Sequence, residues 1–237
     1  MIDRRPLLAG MGAIAATAVA PKALRAAGRV SLDRTSVLLV IDVQNCFLPG
    51  GSLAVKDGDK VVPVINSLAK KFPDVVITQD WHTAGHVSFA STHAGKKPFE
   101  TIDLKYGKQV LWPDHCVQGT DGAGLSKDLA IPQAGLVLRK GFNKDTDSYS
   151  AFNEADGKST GLASYLKARK LQRVFLAGLA TDFCVAWSAL DARKAGFDVY
   201  VIEDACRGID NQGSLAKAWT DMGKAGVKRI QSADLVG

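Results

Sequence analysis

Three residues that could do chemistry together stand where short apolar runs end. Cys184 lies in Gly178-Leu179-Ala180-Thr181-Asp182-Phe183-Cys184-Val185, just beyond the run Arg173 to Gly178; Asp42 closes Ser36 to Asp42; Lys140 follows Gly135 to Leu138. A strand leading through a short turn into a helix places the thiol near a helix N-terminus, where partial positive charge and free N–H groups favour a thiolate and an oxyanion. An isolated cysteine in an apolar segment is more often packing than nucleophile. A thiol that attacks an unactivated amide, however, needs a group to take its proton and return it to the departing ammonia. Asp42 can do both, and Lys140 supplies a cation beside it. Taken singly, Asp42 reads as a strand-end turn residue and Lys140 as a solvated surface lysine. Their shared position at strand ends is what links them to the thiol.

All four histidines, His82, His86, His93 and His115, fall in one long stretch from Trp81 to Gly135. Asp80-Trp81-His82 is followed there by Trp112-Pro113-Asp114-His115-Cys116. One carboxylate and two imidazoles leave coordination positions open for water or substrate, as in a catalytic metal site. His86 competes for a ligand place because it lies four residues after His82, and His93 reads as an ordinary loop residue.

The elements that must position these groups are legible from periodicity. Continuous apolar runs at Ser36 to Asp42, Asp74 to Gln79, Gly135 to Leu138, Arg173 to Gly178 and Asp198 to Ile202, with a weaker sixth at Val227 to Ile230, fit strands buried on both faces. Helical segments at Lys60 to Phe72, Gly161 to Lys170, Phe183 to Ala195 and Ser214 to Ala225 lie between them. Strand and helix alternation predicts a parallel sheet covered by helices on both faces, with ligands outside the carboxyl ends of the strands. The irregular stretch from Trp81 to Gly135 has the length of a functional loop.

Taken together, Ile41-Asp42-Val43-Gln44-Asn45, Gly50-Gly51-Ser52-Leu53, Gln79-Asp80-Trp81-His82, Ser88-Phe89-Ala90, Leu111-Trp112-Pro113-Asp114-His115-Cys116-Val117-Gln118, Lys140-Gly141, Ser148-Tyr149-Ser150-Ala151-Phe152 and the segment around Cys184 resemble the nicotinamidases. The resemblance runs from about Val37 to the last strand. It implies the isochorismatase-like fold, a three-layer α/β/α arrangement with a six-stranded parallel sheet, and hydrolysis of nicotinamide, and of pyrazinamide, through a cysteine thioester. It also implies Asp42 as base, Lys140 as the group stabilising the triad's charges and Cys184 as nucleophile. Asp80, His82 and His115 match the family's metal ligands, for a divalent ion that orients the pyridine nitrogen: zinc first, with iron or manganese as alternatives. A cis bond is implied between Leu179 and Ala180, aiming the Ala180 and Cys184 N–H groups at the oxyanion, and Phe47, Trp112 and Tyr149 match the ring pocket. The chain departs from the family at Cys46, where Asp is usual, which removes a charge near the base and places a second thiol there.

Composition bounds the rest. A chain of 237 residues, 46% hydrophobic, can bury one well-formed core. Of its net charge of +6, +4 sits in residues 1–30, and the remainder has no basic stripe with interleaved aromatics, which excludes a nucleic-acid partner. Arg4-Arg5 ahead of the apolar run Leu7 to Ala20 resembles a twin-arginine signal, too short for a membrane span; residues 1–30 are therefore expected to direct export to the periplasm, with the hydrolase domain in 31–237 and no stable membrane insertion. The four cysteines, Cys46, Cys116, Cys184 and Cys206, have no framework spacing, so mostly free thiols are expected. Three rival readings remain: a metal-free cysteine amidase for a carbamoyl or ureido substrate, ether hydrolysis that leaves Cys184 unexplained, and a non-enzymatic periplasmic thiol or metal-binding protein using Cys184 with Cys46 or Cys116. A homo-oligomer is left open.

Overall fold

In the computed structural model, which describes residues 28–236, the apolar runs become one parallel sheet. The signal-like segment up to Ala27 lies outside the described residues. Along the chain come β1 (Val30–Ser31), β2 (Ser36–Ile41), α1 (Val61–Ala69), β3 (Asp74–Asp80), the hairpin β4 (Thr101–Leu104) and β5 (Gly107–Val110), and β6 (Leu136–Lys140). Then follow α2 (Leu162–Ala168), β7 (Arg173–Leu179), α3 (Ala186–Lys194), β8 (Asp198–Arg207), α4 (Ser214–Lys224), β9 (Lys228–Ile230) and β10 (Leu235–Val236). The six-stranded sheet has the order β6-β3-β2-β7-β8-β9, every pair parallel. Two short pairs stand outside it, β1 with β10 and β4 with β5.

Successive strand residues point to opposite faces, and the core divides accordingly. Leu38, Val40, Val75, Ile77, Phe175 and Ala177 form one face with Val61, Ile65 and Leu68 of α1. Val37, Leu39, Ile41, Val76, Val174 and Leu176 form the other with Leu162 and Leu166 of α2, Ala189 of α3 and Met222 of α4. The helical residues recur at three- and four-residue intervals, so each helix lays one stripe on the sheet. Each fully buried aliphatic side chain contributes roughly 1.5–3 kcal/mol. This is the expected three-layer architecture. Among the described residues no helix is long and apolar enough to cross a membrane.

Several element boundaries move. The third run becomes β6, which continues to Lys140 because Arg139 and Lys140 pair with Gln79 and Asp80 of β3. β8 extends to Arg207 through an irregularity opposite Leu176 and Gly178, and α1 starts after a short turn at Gly58–Lys60. α3 begins only at Ala186, because Thr181–Val185 forms a wide π-type turn in which the Phe183 and Val185 N–H groups both donate to the Ala180 carbonyl. Gly178 is fixed by close strand approach: at φ +126°, a Cβ there would stand 2.0 Å from the Ile41 carbonyl oxygen.

The expectation of mostly free thiols is corrected. Cys46 and Cys116 are joined by a disulfide across 70 residues, with Cα atoms 5.7 Å apart. Cys184 and Cys206 remain free and buried. The pair forms because the turn at Asn45–Phe47 docks on the loop beyond His115: Asn45 N–H donates to Gly124 O at 3.0 Å and its side-chain amide to Asp121 O at 2.9 Å. No local spacing announces a contact of that kind. Cys46 is therefore not a second thiol beside the base, and a redox pair of Cys184 with Cys46 or Cys116 does not exist in this fold.

Closing a loop of this length constrains the unfolded chain by roughly 4 kcal/mol, less whatever structure that chain retains. Cys46→Ala is thus expected to lower the unfolding free energy by about 2–4 kcal/mol. Thermal melts under non-reducing conditions test this; equal midpoints for variant and wild type would show that the link does not stabilise the fold.

Candidate active site

The four central strands deliver their chemistry side by side. Lys140 ends β6, Asp80 ends β3, Asp42 directly follows β2, and Cys184 sits in the turn after β7. Their neighbours in the sheet are β6, β3, β2 and β7 in that order, so adjacency along the sheet edge sets adjacency in the site.

Lys140 is the hub. Its side chain is fully buried, and Nζ lies 2.5 Å from Asp80 Oδ1, 2.9 Å from Asp42 Oδ2, 3.0 Å from the Ser148 carbonyl oxygen and 3.3 Å from Cys184 Sγ. Burial alone would strip this ammonium of its proton, but the Asp42 and Asp80 carboxylates outweigh it and hold the proton far above the usual lysine range. Asp42 is equally buried. Its Oδ1 accepts from Thr78 Oγ1 at 2.6 Å, whereas Oδ2 faces the ammonium as an ion pair without a directed hydrogen bond. Burial raises the Asp42 carboxyl despite Lys140. Asp42, Asp80 and Cys184 hold their reactive atoms within 4.8 Å of one another.

The thiol behaves differently from the expectation at a helix start. Burial pushes Cys184 well above the ordinary thiol range, Lys140 opposes, and Asp80 and Asp42 add to the rise. Burial here opposes formation of the thiolate.

Asp80, His82 and His115 place one donor atom each within 4.8 Å of one another, all buried. His82 Nδ1 lies 2.8 Å from Gly141 O, and His115 Nδ1 lies 2.8 Å from Pro113 O. A carbonyl only accepts, so each Nδ1 carries the proton and each Nε2 is left with a free lone pair, that of His82 3.7 Å from Asp80 Oδ2. Burial disfavours charge on His82, but Asp80 outweighs it and raises the imidazole's affinity for a proton. Burial and neighbouring His82 instead lower His115 to about 4. One carboxylate with two oriented imidazoles fits a divalent transition-metal ion. His86 is engaged otherwise: Nδ1 lies 2.8 Å from Ser88 Oγ, and Nε2 donates to Thr146 O at 3.2 Å. His93 is tied to the Val87 carbonyl within its loop.

Above the thiol lies a pocket that opens to solvent. Phe47, Trp112, Tyr149, Ala180 and Cys184 line it with Asp80, His82 and His115, while Asp42 and Lys140 lie beneath its floor. The peptide between Leu179 and Ala180 is cis. The walls are fixed by contact: Trp112 meets Phe183 edge-on at 4.7 Å between ring centroids, and Trp112 Nε1 donates to Tyr149 Oη at 2.9 Å. All ten residues singled out in the sequence thus surround one space.

Others in the site were not singled out. Phe183 and Asp182 lay inside the motif that drew attention to Cys184, and Asp147 immediately precedes Ser148-Tyr149-Ser150. The Asp182 carboxylate accepts from the Ile209 N–H at 2.9 Å and the Asp210 N–H at 2.8 Å, and from Ser214 Oγ, tying the turn of Cys184 to the segment whose Ile209 lines the cavity. Gln109 enters from β5 and donates to Asp147 Oδ2 at 2.7 Å and Tyr149 Oη at 3.0 Å. Nothing in the local sequence marks Gln109.

The isochorismatase domain model matches residues 36–234. A nicotinamidase of Acinetobacter baylyi is 56% identical over 209 residues, covering 88% of this chain and 98% of that one. The solved nicotinamidase and pyrazinamidase of Acinetobacter baumannii superposes with a TM-score of 0.85 at 59% identity, over 85% of this chain and 98% of its own. The pyrazinamidase of Pyrococcus horikoshii, solved in complex with zinc, gives 0.69 at 34% identity, over 83% and 99%.

Gly141, at φ +66°, lets its carbonyl reach His82: a Cβ there would stand 2.6 Å from His82 Cε1. Gly141→Ala should turn the imidazole and weaken metal retention by about 10–100-fold, as loss of an orienting partner commonly does. Competition with a chromophoric chelator reads this directly, and unchanged affinity would mean that Gly141 does not orient the ligand.

Proposed function

The chain belongs to the isochorismatase-domain family, among its nicotinamidases, and we propose that it hydrolyses nicotinamide to nicotinate and ammonia through a Cys184 thioester. The observation that carries this reading is the buried contact of Cys184 Sγ, Lys140 Nζ and Asp42, whose Oδ2 has no hydrogen-bond donor of its own. That oxygen is the base. It takes the thiol proton as sulfur attacks the amide carbon, while Lys140 stays protonated and keeps the aspartate oriented. The N–H groups of Ala180 and Cys184 are the proposed donors to the oxyanion. Asp42 then passes its proton to the amide nitrogen, the C–N bond breaks and ammonia leaves. Water, deprotonated by the same carboxylate, attacks the thioester carbon; the C–S bond breaks, Asp42 returns that proton to the departing sulfur, and the acid formed loses its own proton to the ammonia and leaves as nicotinate.

Asp80, His82 and His115 are the proposed ligands of one divalent ion, for which zinc is favoured by the zinc-bound relative and the donor set. Such an ion supplies an open coordination position for a ring nitrogen. Phe47, Trp112 and Tyr149 hold the ring, so the amide is presented to Cys184 through positioning, where an error of about 1 Å can cost on the order of 10²-fold in rate. The donor set favours this reading over a metal-free amidase for carbamoyl substrates. Export remains part of the proposal, supported by Arg4-Arg5 and by the Cys46–Cys116 disulfide, a bond that persists in oxidising compartments.

Nicotinamide and pyrazinamide should be turned over, while picolinamide, isonicotinamide and benzamide are poor, judged by kcat/KM. Cys184→Ala should abolish turnover and keep bound metal; His82→Ala should lose metal, most of the rate and the preference among the five amides. Benzamide equal to nicotinamide would remove the ring nitrogen as anchor, and substantial turnover by Cys184→Ala would end the covalent mechanism. Fractionation showing the full-length chain in the cytoplasm would overturn export.

A further inference from the structure

Phe99 stands where the backbone asks for a glycine. Its N–H donates to the Leu111 carbonyl at 2.6 Å, and the Leu111 N–H donates to the Glu100 carbonyl at 2.8 Å, so Phe99 and Glu100 together oppose the single residue Leu111. The regular pairing of β4 with β5 begins just beyond, at Thr101 and Val110. Two residues against one make a β-bulge, and the form whose first residue is left-handed ordinarily carries glycine there. Phe99 adopts that conformation at φ +72°. For so bulky a residue this is a true outlier, and its cost persists only where the surrounding structure over-determines it. Bulges beside active sites commonly serve to re-aim a side chain.

Burial does not explain the position, because Phe99 remains 42% exposed. What the ring reaches is Trp112, the residue after the bulge's partner, at 5.9 Å between centroids and an interplanar angle of 84°. Trp112 is buried and lines the pocket, whereas Phe99 is not among the lining residues. Phe183, which does line it, meets the same indole edge-on at 4.7 Å, and Trp112 Nε1 donates to Tyr149 Oη at 2.9 Å. Of these three groups that hold the indole, Phe99 is the one that a ligand in the pocket would not touch.

We propose that Phe99 is a positioning residue for the ring pocket: aimed by the bulge, it braces Trp112 from outside and sets how firmly that wall grips the substrate ring. The inference rests on the reading of Trp112 as a wall for nicotinamide. An edge-on aromatic pair contributes the equivalent of roughly 2–10-fold in an equilibrium constant. The indole holds the ring before and during the reaction alike, so loss of its brace falls on KM rather than on kcat.

The test uses metal-loaded protein of matched metal content. Exchange of the Trp112 indole proton for deuterium, followed by NMR and assigned with Trp112→Phe, reads the wall without substrate; nicotinamide KM and kcat are read by ammonia release. Phe99→Gly, which suits the bulge and removes the ring, should speed that exchange about tenfold. It should also raise KM roughly 2–10-fold with kcat within about twofold of wild type. Phe99→Ala should match it in exchange and KM but melt lower, because alanine keeps the left-handed strain. Phe99→Tyr, which keeps the ring, should retain wild-type exchange and KM. Unchanged exchange or unchanged KM in both ringless variants would overturn the proposal, as would a tyrosine variant that behaves like alanine. If wild type turns over nicotinamide in that case, the reaction stands without the inference. If wild type does not hydrolyse nicotinamide while loss of the ring still speeds the exchange, the reaction falls and the bracing of Trp112 stands.

Discussion

Sealed from water between two carboxylates, the Lys140 ammonium imposes the condition that the rest of the site obeys. An isolated buried charge costs several kcal/mol in real proteins, and removing one partner of such a cluster is more damaging than never having built it. Lys140 is tolerable because Asp80 Oδ1, Asp42 Oδ2 and the Ser148 carbonyl surround it within 3.0 Å. Lys140, Asp80 and Asp42 stand at the ends of three neighbouring strands, so the order β6-β3-β2 in the sheet is a requirement of the electrostatics as much as of the fold.

That cluster also joins two functions that the chain keeps on separate residues. Asp42 faces the thiol and Asp80 faces the histidines, and Lys140 touches both carboxylates and Sγ. Burial pushes the Cys184 thiol well above its ordinary range, with Lys140 the one neighbour that opposes the rise. His82 and His115 are aimed by backbone carbonyls rather than by other side chains. Their orientation therefore follows the loops, and a glycine at 141 is what lets one of those carbonyls approach.

Around this floor the cavity wall is held by a small polar network. Tyr149 Oη receives the indole N–H of Trp112 and the amide of Gln109, and Gln109 in turn reaches Asp147. Aromatic rings and a buried carboxylate thus share one support, linking the shape of the ring pocket to its charge. On the opposite side the Cys46–Cys116 link fastens Phe47's turn to the segment that carries His115. Phe47 and His115 are thus held together from distant parts of the chain.

The sequence alone determined the layered sheet, because continuous apolar runs separated by helical stripes have few other ways to bury themselves. It also determined the chemical character of the floor: Asp42, Asp80, Lys140 and Cys184 each stand at or just past a strand end, where a parallel sheet opens its crevice. The histidine pair was legible from residue type and from the Asp80-Trp81-His82 and Trp112 to Cys116 motifs. Choosing between His115 and His86 on residue type alone was not, since that depends on which ring nitrogens the loops leave free. Only tertiary structure decided the Cys46–Cys116 bond, the place of Gln109 in the wall and the burial that raises the thiol. Each of these arises from segments tens of residues apart meeting in space, and burial belongs to the folded whole rather than to any stretch of sequence.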